Sequence, residues 1–151
     1  MSRSGKRVPQ TKTSKTKKVQ EREKVGAGKC TPIWNFGWLD KSGPFAFDLH
    51  REDFNHHLIL EKLIEYGNMS WSEIDHQTHD AKGKGKHHFL SAEGLSKQAK
   101  ERIKAKRLED QTDAIYSLAL QNVIRIIGVR EGATFYVVWY DPKHEFYPSK
   151  K

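Results

Sequence analysis

The sequence predicts an α+β fold: an N-terminal β-hairpin, about three helices packed on one face of an antiparallel sheet, and a closing three-stranded meander. Three observations carry this. Residues 114–120, 123–130 and 134–140 are consecutive apolar runs of strand length. The apolar positions Phe54, Leu58, Leu60, Leu63 and Ile64 follow helical spacing. Aromatic-rich residues 33–39 and the run 45–47 flank the turn-forming stretch Asp40-Lys41-Ser42-Gly43-Pro44, which is a hairpin signal.

In chain order, residues 1–29 come first, with ten Lys/Arg and two Glu. They account for the whole formal charge of +8, so the remaining residues balance to zero. No aromatic residue and no apolar stripe occurs there, so ordering this segment gains too little burial to offset its entropy. It is expected to be a disordered basic tail ahead of one α+β domain at 30–151. Its basicity suits phosphates, and it serves equally as a solubilising terminus. No apolar run of about 7–15 residues follows the positive start and no stretch approaches about 20 apolar residues, so neither a secretory signal nor a membrane span is expected. A single cysteine, Cys30, excludes an intramolecular disulfide and suits a reducing compartment. The expectation is a cytoplasmic protein.

After the hairpin, the helical run from about Arg51 stops at Gly67-Asn68, as at a C-terminal cap. Ser70-Trp71-Ser72-Glu73 has the Ser-x-x-Glu form of a capping box, opening a short helix with Trp71 and Ile74 on one side. A third helix over 97–108 follows Ser96; Ala99 and Ile103 form its thin apolar face, and lysines and arginines cover the rest. In the meander, the glycine of Glu131-Gly132 tolerates the turn, and Asp141-Pro142 ends the last strand because proline cannot donate to a ladder.

Charge is unevenly spread within the domain. Residues 30–81 have three Lys/Arg against nine acids, whereas residues 82–107 have nine against two. In the basic stretch, glycines alternate with Lys82, Lys84 and Lys86, letting a backbone approach phosphates while the lysines act as point charges. The bland reading is a solvated charged face. No GxxxxGK[ST] pattern is present, so a nucleotide-binding P-loop is not supported. Lys84, Lys86, Lys97, Lys104, Arg107 and Arg130 are the candidate RNA-contacting residues.

His76, His79, His87 and His88 lie near Asp75 and Asp80, the residue types of a transition-metal site. Against that, the interleaved lysines repel a cation and the glycines loosen the loop, so neither a metal nor another cofactor is expected. At the C-terminal rim, Arg125 interrupts an apolar strand, which means that it is paired with an acid such as Asp113 or Asp141, or aimed at a ligand. His144 has the side chain suited to general acid or base work near neutral pH, and Tyr147 can donate a hydrogen bond or proton. The competing reading is that Asp141 and His144 cap the strand end while Trp139, Phe146 and Tyr147 cover the core.

From Leu95 to Tyr147, a basic helix, three strands, an arginine on the middle strand and a His/Tyr-bearing end resemble the RelE/YoeB-type toxin superfamily. Its members cleave messenger RNA, often on the ribosome, without a metal. The resemblance implies a ribonuclease in which Lys104 or Arg107 and Arg125 hold the scissile phosphate and His144 serves the 2′-hydroxyl or the leaving oxygen. It also implies RNA or the ribosome as partner, and an antitoxin as protein partner. The N-terminal hairpin and the long 68–94 segment depart from that pattern. The reading from another class is a non-catalytic interaction module, with the acidic half and the aromatic rim binding a protein.

Overall fold

The computed structural model describes residues 26–79 and 83–149. The sequence-based expectations for residues 1–25, for Asp80 and for Lys82 fall outside them. The elements run β1 (Ile33–Asn35), α1 (His56–Gly67), α2 (Trp71–Asp75), β2 (His88–Phe89), α3 (Lys97–Ala105), β3 (Ile115–Gln121), β4 (Ile124–Glu131) and β5 (Thr134–Asp141). Short 3₁₀ turns at Ala92–Gly94 and Glu109–Ala114 flank α3. The class is α+β, and β3–β4–β5 form the expected meander within a five-stranded sheet of order β1-β5-β4-β3-β2.

Each helix starts where a side chain satisfies its orphan amides. Asn55 accepts from Leu58 N at the start of α1, and Ser96 accepts from Ala99 N at the start of α3. The Ser70–Glu73 capping box is complete in both directions. In α1 the buried positions are Leu58, Ile59, Leu63 and Tyr66, whereas Leu60 and Ile64 face outward.

Two expectations are corrected. The first concerns the hairpin: β1 runs parallel to β5, with Ile33 opposite Thr134 and Asn35 opposite Tyr136, and the sheet is therefore mixed. Asp40 N then donates to Val138 O, and Tyr140 N to Phe45 O, so both arms lie along the outer edge of β5, joined to each other across the turn by the bond from Phe47 N to Asp40 O. Spreading the arms lets Trp34 join one core and Phe45 another, and it covers an edge that would otherwise present unpaired backbone groups.

The second concerns the helices, which lie on both faces of the sheet. Tyr116, Leu118, Leu120, Ile126, Phe135 and Val137 pack with α1 and α2, whereas Ile115, Ile127, Val129 and Val138 pack with α3. Successive strand residues point to opposite faces, so near-continuous apolar strands are what a sheet covered on both sides requires. Ala27, expected in the tail, is buried, and Gly28 O and Cys30 O accept from Ser72 N and Trp71 N.

A bulge between Ile127 and Gly128 draws β5 close to β4. A β-carbon at Gly128 would overlap the carbonyl of Tyr136, so the approach needs glycine. Asp40 ties the outer layers together: it accepts from Arg102 Nε and Nη2 at 2.9 and 2.8 Å, from Trp139 Nε1 at 2.9 Å and from Ser42 N at 3.1 Å. Burial alone would raise its pKa, but these donors win and hold the carboxyl below its ordinary value.

Candidate functional site

The end of β3, the start of β4 and the end of β5 coincide at one pole of the sheet, where Ala119, Arg125 and Asp141 lie side by side in register. Arg125 is only 6% exposed. Its Nη1 donates to Asn122 O at 2.7 Å and Ile124 O at 3.0 Å; among the described residues, Nε and Nη2 have no partner and no carboxylate lies within ion-pair distance. Burial pulls its pKa down, and Asp141 and Tyr66 only partly oppose this. It is thus a largely buried cation without a bonded counter-charge, whose Nε and Nη2 are not sealed from solvent and stay open to an anion.

Asp141 is 1% exposed and already engaged, accepting from Glu145 N and Phe146 N, both at 2.9 Å. Burial raises its pKa against those donors. Its carboxylate therefore shapes the turn that follows β5, as the capping reading expects for Asp141. That turn places His144 at φ 59°, a left-handed conformation that histidine adopts more readily than most residues. His144 is half-buried, and its pKa is lowered by burial and then by Arg125, with His79 and Lys84 adding to the effect and Asp141 opposing it.

Segment 84–88 reaches the same pole from a distant part of the chain. His79 N donates to Lys84 O and Lys86 N to Gln77 O, so residues 77–79 pair with 84–86 just ahead of β2. His87 and His88 then point in opposite directions, as strand alternation dictates. His87 is buried: its Nδ1 accepts from Ala119 N at 2.9 Å, which leaves the proton on Nε2 to donate to Gln77 Oε1 at 2.8 Å. Burial first, and then the cations around it, push its pKa down to about 3. His88 faces out. Burial is the larger cause of its lowered pKa, although the residue as a whole keeps an exposed surface; Arg125 and His144 come next.

Tyr147 closes the group. Its hydroxyl lies 2.9 Å from Ser91 Oγ and its ring 5.8 Å from that of His88. Gly94 permits this, because a β-carbon there would overlap the ring.

Of the residues expected from sequence, Lys86 and His144 lie near enough to Arg125 to feel its charge, and Lys84 near enough to His144, while Tyr147 lies against His88. Lys86 is pulled below its ordinary pKa by burial and by Lys62 and Arg125, Glu65 opposing. Lys97, Lys104 and Arg107 lie instead along α3 and its C-terminal turn. Arg130, expected to contact RNA, is engaged elsewhere. Its guanidinium lies 4.0 Å from the ring centre of Trp71 and 5.0 Å from that of Tyr116, and Nη1 meets Asp75 at 2.8 Å. The His-rich segment gathers no group of three or more His, Cys, Asp or Glu side chains placed to hold a metal ion among the described residues. His76 lies against Ser72 O and Asp75 accepts from Tyr116.

Sequence reasoning weighed His87 and His88 only as metal ligands. Their alternation is the missed signal, and a two-residue strand is too short to display it. No helix among the described residues is long and apolar enough to cross a membrane. Compared with protein-family models, with curated proteins and with solved structures, the chain has no significant match.

Proposed function

We propose that this pole binds the phosphates of RNA in the cytoplasm, and that in its sharpest form the protein cleaves RNA with its own side chains as acid and base. One observation carries the reading: Arg125 is a buried guanidinium with no bonded carboxylate, set among Lys86, His88 and His144. Its spare Nε and Nη2 match two oxygens of one phosphate. Each cation here disfavours the others, so a bound phosphate relieves repulsion as well as desolvation.

His144 lowers the pKa of His88, and Arg125, His79 and Lys84 lower those of both rings. With one ring neutral and one protonated, the neutral ring takes the proton of a 2′-hydroxyl as its oxygen attacks phosphorus. The protonated ring donates to the 5′-oxygen as the phosphorus–oxygen bond breaks. Arg125 neutralises the charge that develops on the phosphate between them, a contribution typically worth about 10²–10³ in rate. Tyr147 orients His88.

The test incubates the full chain with RNA and examines both binding and cleavage. Wild type should retain and cut RNA; His144→Asn, which tolerates the left-handed backbone, should bind without cutting, and Arg125→Met should do neither. A folded wild type that neither binds nor cuts RNA overturns the proposal. The interaction-module reading takes the acidic half and the aromatic rim as its surface, and within the acidic half Leu60 and Ile64 are 62% and 58% exposed on α1 beside Glu61 and Glu65. It predicts an RNA-inert protein that loses a protein partner on Leu60→Ser.

A further inference from the structure

Lys97, Lys100 and Lys104 recur at three- and four-residue intervals, so they line one side of α3. All three are exposed, and none has an ion-pair partner among the described residues. The helix begins beside the pole: Ser96 N donates to Phe146 O at 3.0 Å, and Phe146 N in turn is held by Asp141. It ends beside an aromatic stack. Lys106 Nζ donates to Leu39 O at 3.3 Å, next to Trp38, whose indole lies flat on Tyr136 with ring centres 3.9 Å apart and planes 12° from parallel. Both rings are only half-buried.

Arg107 follows the last turn at φ 58°. Leu108 N donates to Ile103 O and Arg107 N to Lys104 O, which is the helix-ending geometry whose left-handed position normally belongs to glycine or asparagine. Arginine there works against the backbone while extending the line of cations. Strain held at a residue of this kind is characteristic of ligand sites.

We propose that α3, Arg107 and the Trp38–Tyr136 stack form a second binding surface, a track that leads the unpaired strand of a polynucleotide away from the pole. The proposal rests on the pole being the phosphate site, and it deepens that reading by naming the substrate as single-stranded. The nine residues of α3 span about 14 Å, enough for a few nucleotides. The lysines meet successive phosphates as point charges, and the flat indole takes a base by stacking, which any base can supply. A duplex keeps its bases paired and has none to offer Trp38. RNA and DNA strands share the phosphates and bases the track reads, and the DNA strand lacks the 2′-hydroxyl, so its binding is measured without turnover.

The experiment measures anisotropy of labelled short RNA, DNA of the same sequence and the blunt duplex across a salt series, on the full chain, with inorganic phosphate titrated in parallel to report the pole. Wild type should bind both single strands within a few-fold of each other and the duplex more weakly. Arg107→Gly should melt at or above wild type, bind single strands several-fold more weakly with a salt slope smaller by about 0.7, and keep its phosphate affinity. Trp38→Leu should narrow the difference between single strand and duplex. A folded Arg107→Gly with unchanged single-strand affinity and slope overturns the track and leaves the pole standing, as does equal binding of single strand and duplex by wild type. Loss on Arg107→Gly with no effect of Arg125→Met on either ligand supports the track and overturns the pole.

Discussion

Arg125 and His87 are two buried basic residues with opposite logic. Arg125 keeps its charge and lacks a counter-charge, so replacing it by an apolar chain of similar length should be nearly neutral for folding. The thermal melt of Arg125→Met is expected within about 2 kcal/mol of wild type, the lost bonds to the Asn122 and Ile124 carbonyls offsetting the removed desolvation cost. The pKa values of His88 and His144, which Arg125 depresses, should both rise in the variant, as followed by NMR titration. A collapsed melt would make Arg125 a structural partner of the strand ends.

His87 instead gives up its charge. Its folded pKa of about 3 lies below the ordinary value of 6.5, so the native state binds fewer protons than the unfolded chain between those limits. The contribution is fully present above about pH 6.5 and is lost as pH falls toward 3, on the order of 5 kcal/mol over the whole window. His87→Asn keeps an acceptor for Ala119 N. Denaturant melts should show it less stable than wild type at neutral pH and less pH-dependent below 6.5. An unchanged acid limb would mean that His87 does not control acid unfolding.

At the scale of elements, local signals were legible and pairing partners were not. The Ser70–Glu73 box, the Ser96 cap and all three meander strands were readable within a residue or so because each depends on neighbours in sequence. The N-terminal arms were misread as a hairpin because Asp40 to Pro44 is genuine turn chemistry, and nothing local says that β5 offers a better edge to both arms. Leu60 and Ile64 fit the helical period of α1, yet the buried side is completed by Ile59 and Tyr66. Arg125, His144 and Tyr147 could be singled out by type and position, but their meeting with Lys86 and His88 is set by the two-residue strand β2. Gly128 shows how narrowly an element depends on one residue. Gly128→Ala must push β5 away from β4 at the bulge, and a loss of about 3 kcal/mol in denaturant melts is expected. A variant as stable as wild type would show that the strands can separate there without cost.

In the whole molecule, the two faces of the sheet divide the work. α1 and α2 cover one face with an aromatic core in which Tyr116 meets both Trp71 and Phe135 edge to face. The other face is closed by basic α3, held to the sheet through the Arg102–Asp40 pair and Ile103, with its exposed side left cationic. Cations therefore gather at one pole and along one helix, although the described domain as a whole is far from strongly basic. The central claim is that the pole is an anion site, and it is tested most directly by following the ring resonances of His88 and His144 while inorganic phosphate is added to the full chain. Bound phosphate should raise the pKa of both rings and shift the Arg125 guanidinium signal, with Arg130 unmoved and every change absent from Arg125→Met. Histidine pKa values that stay put at saturating phosphate, or that move equally in Arg125→Met, would contradict it.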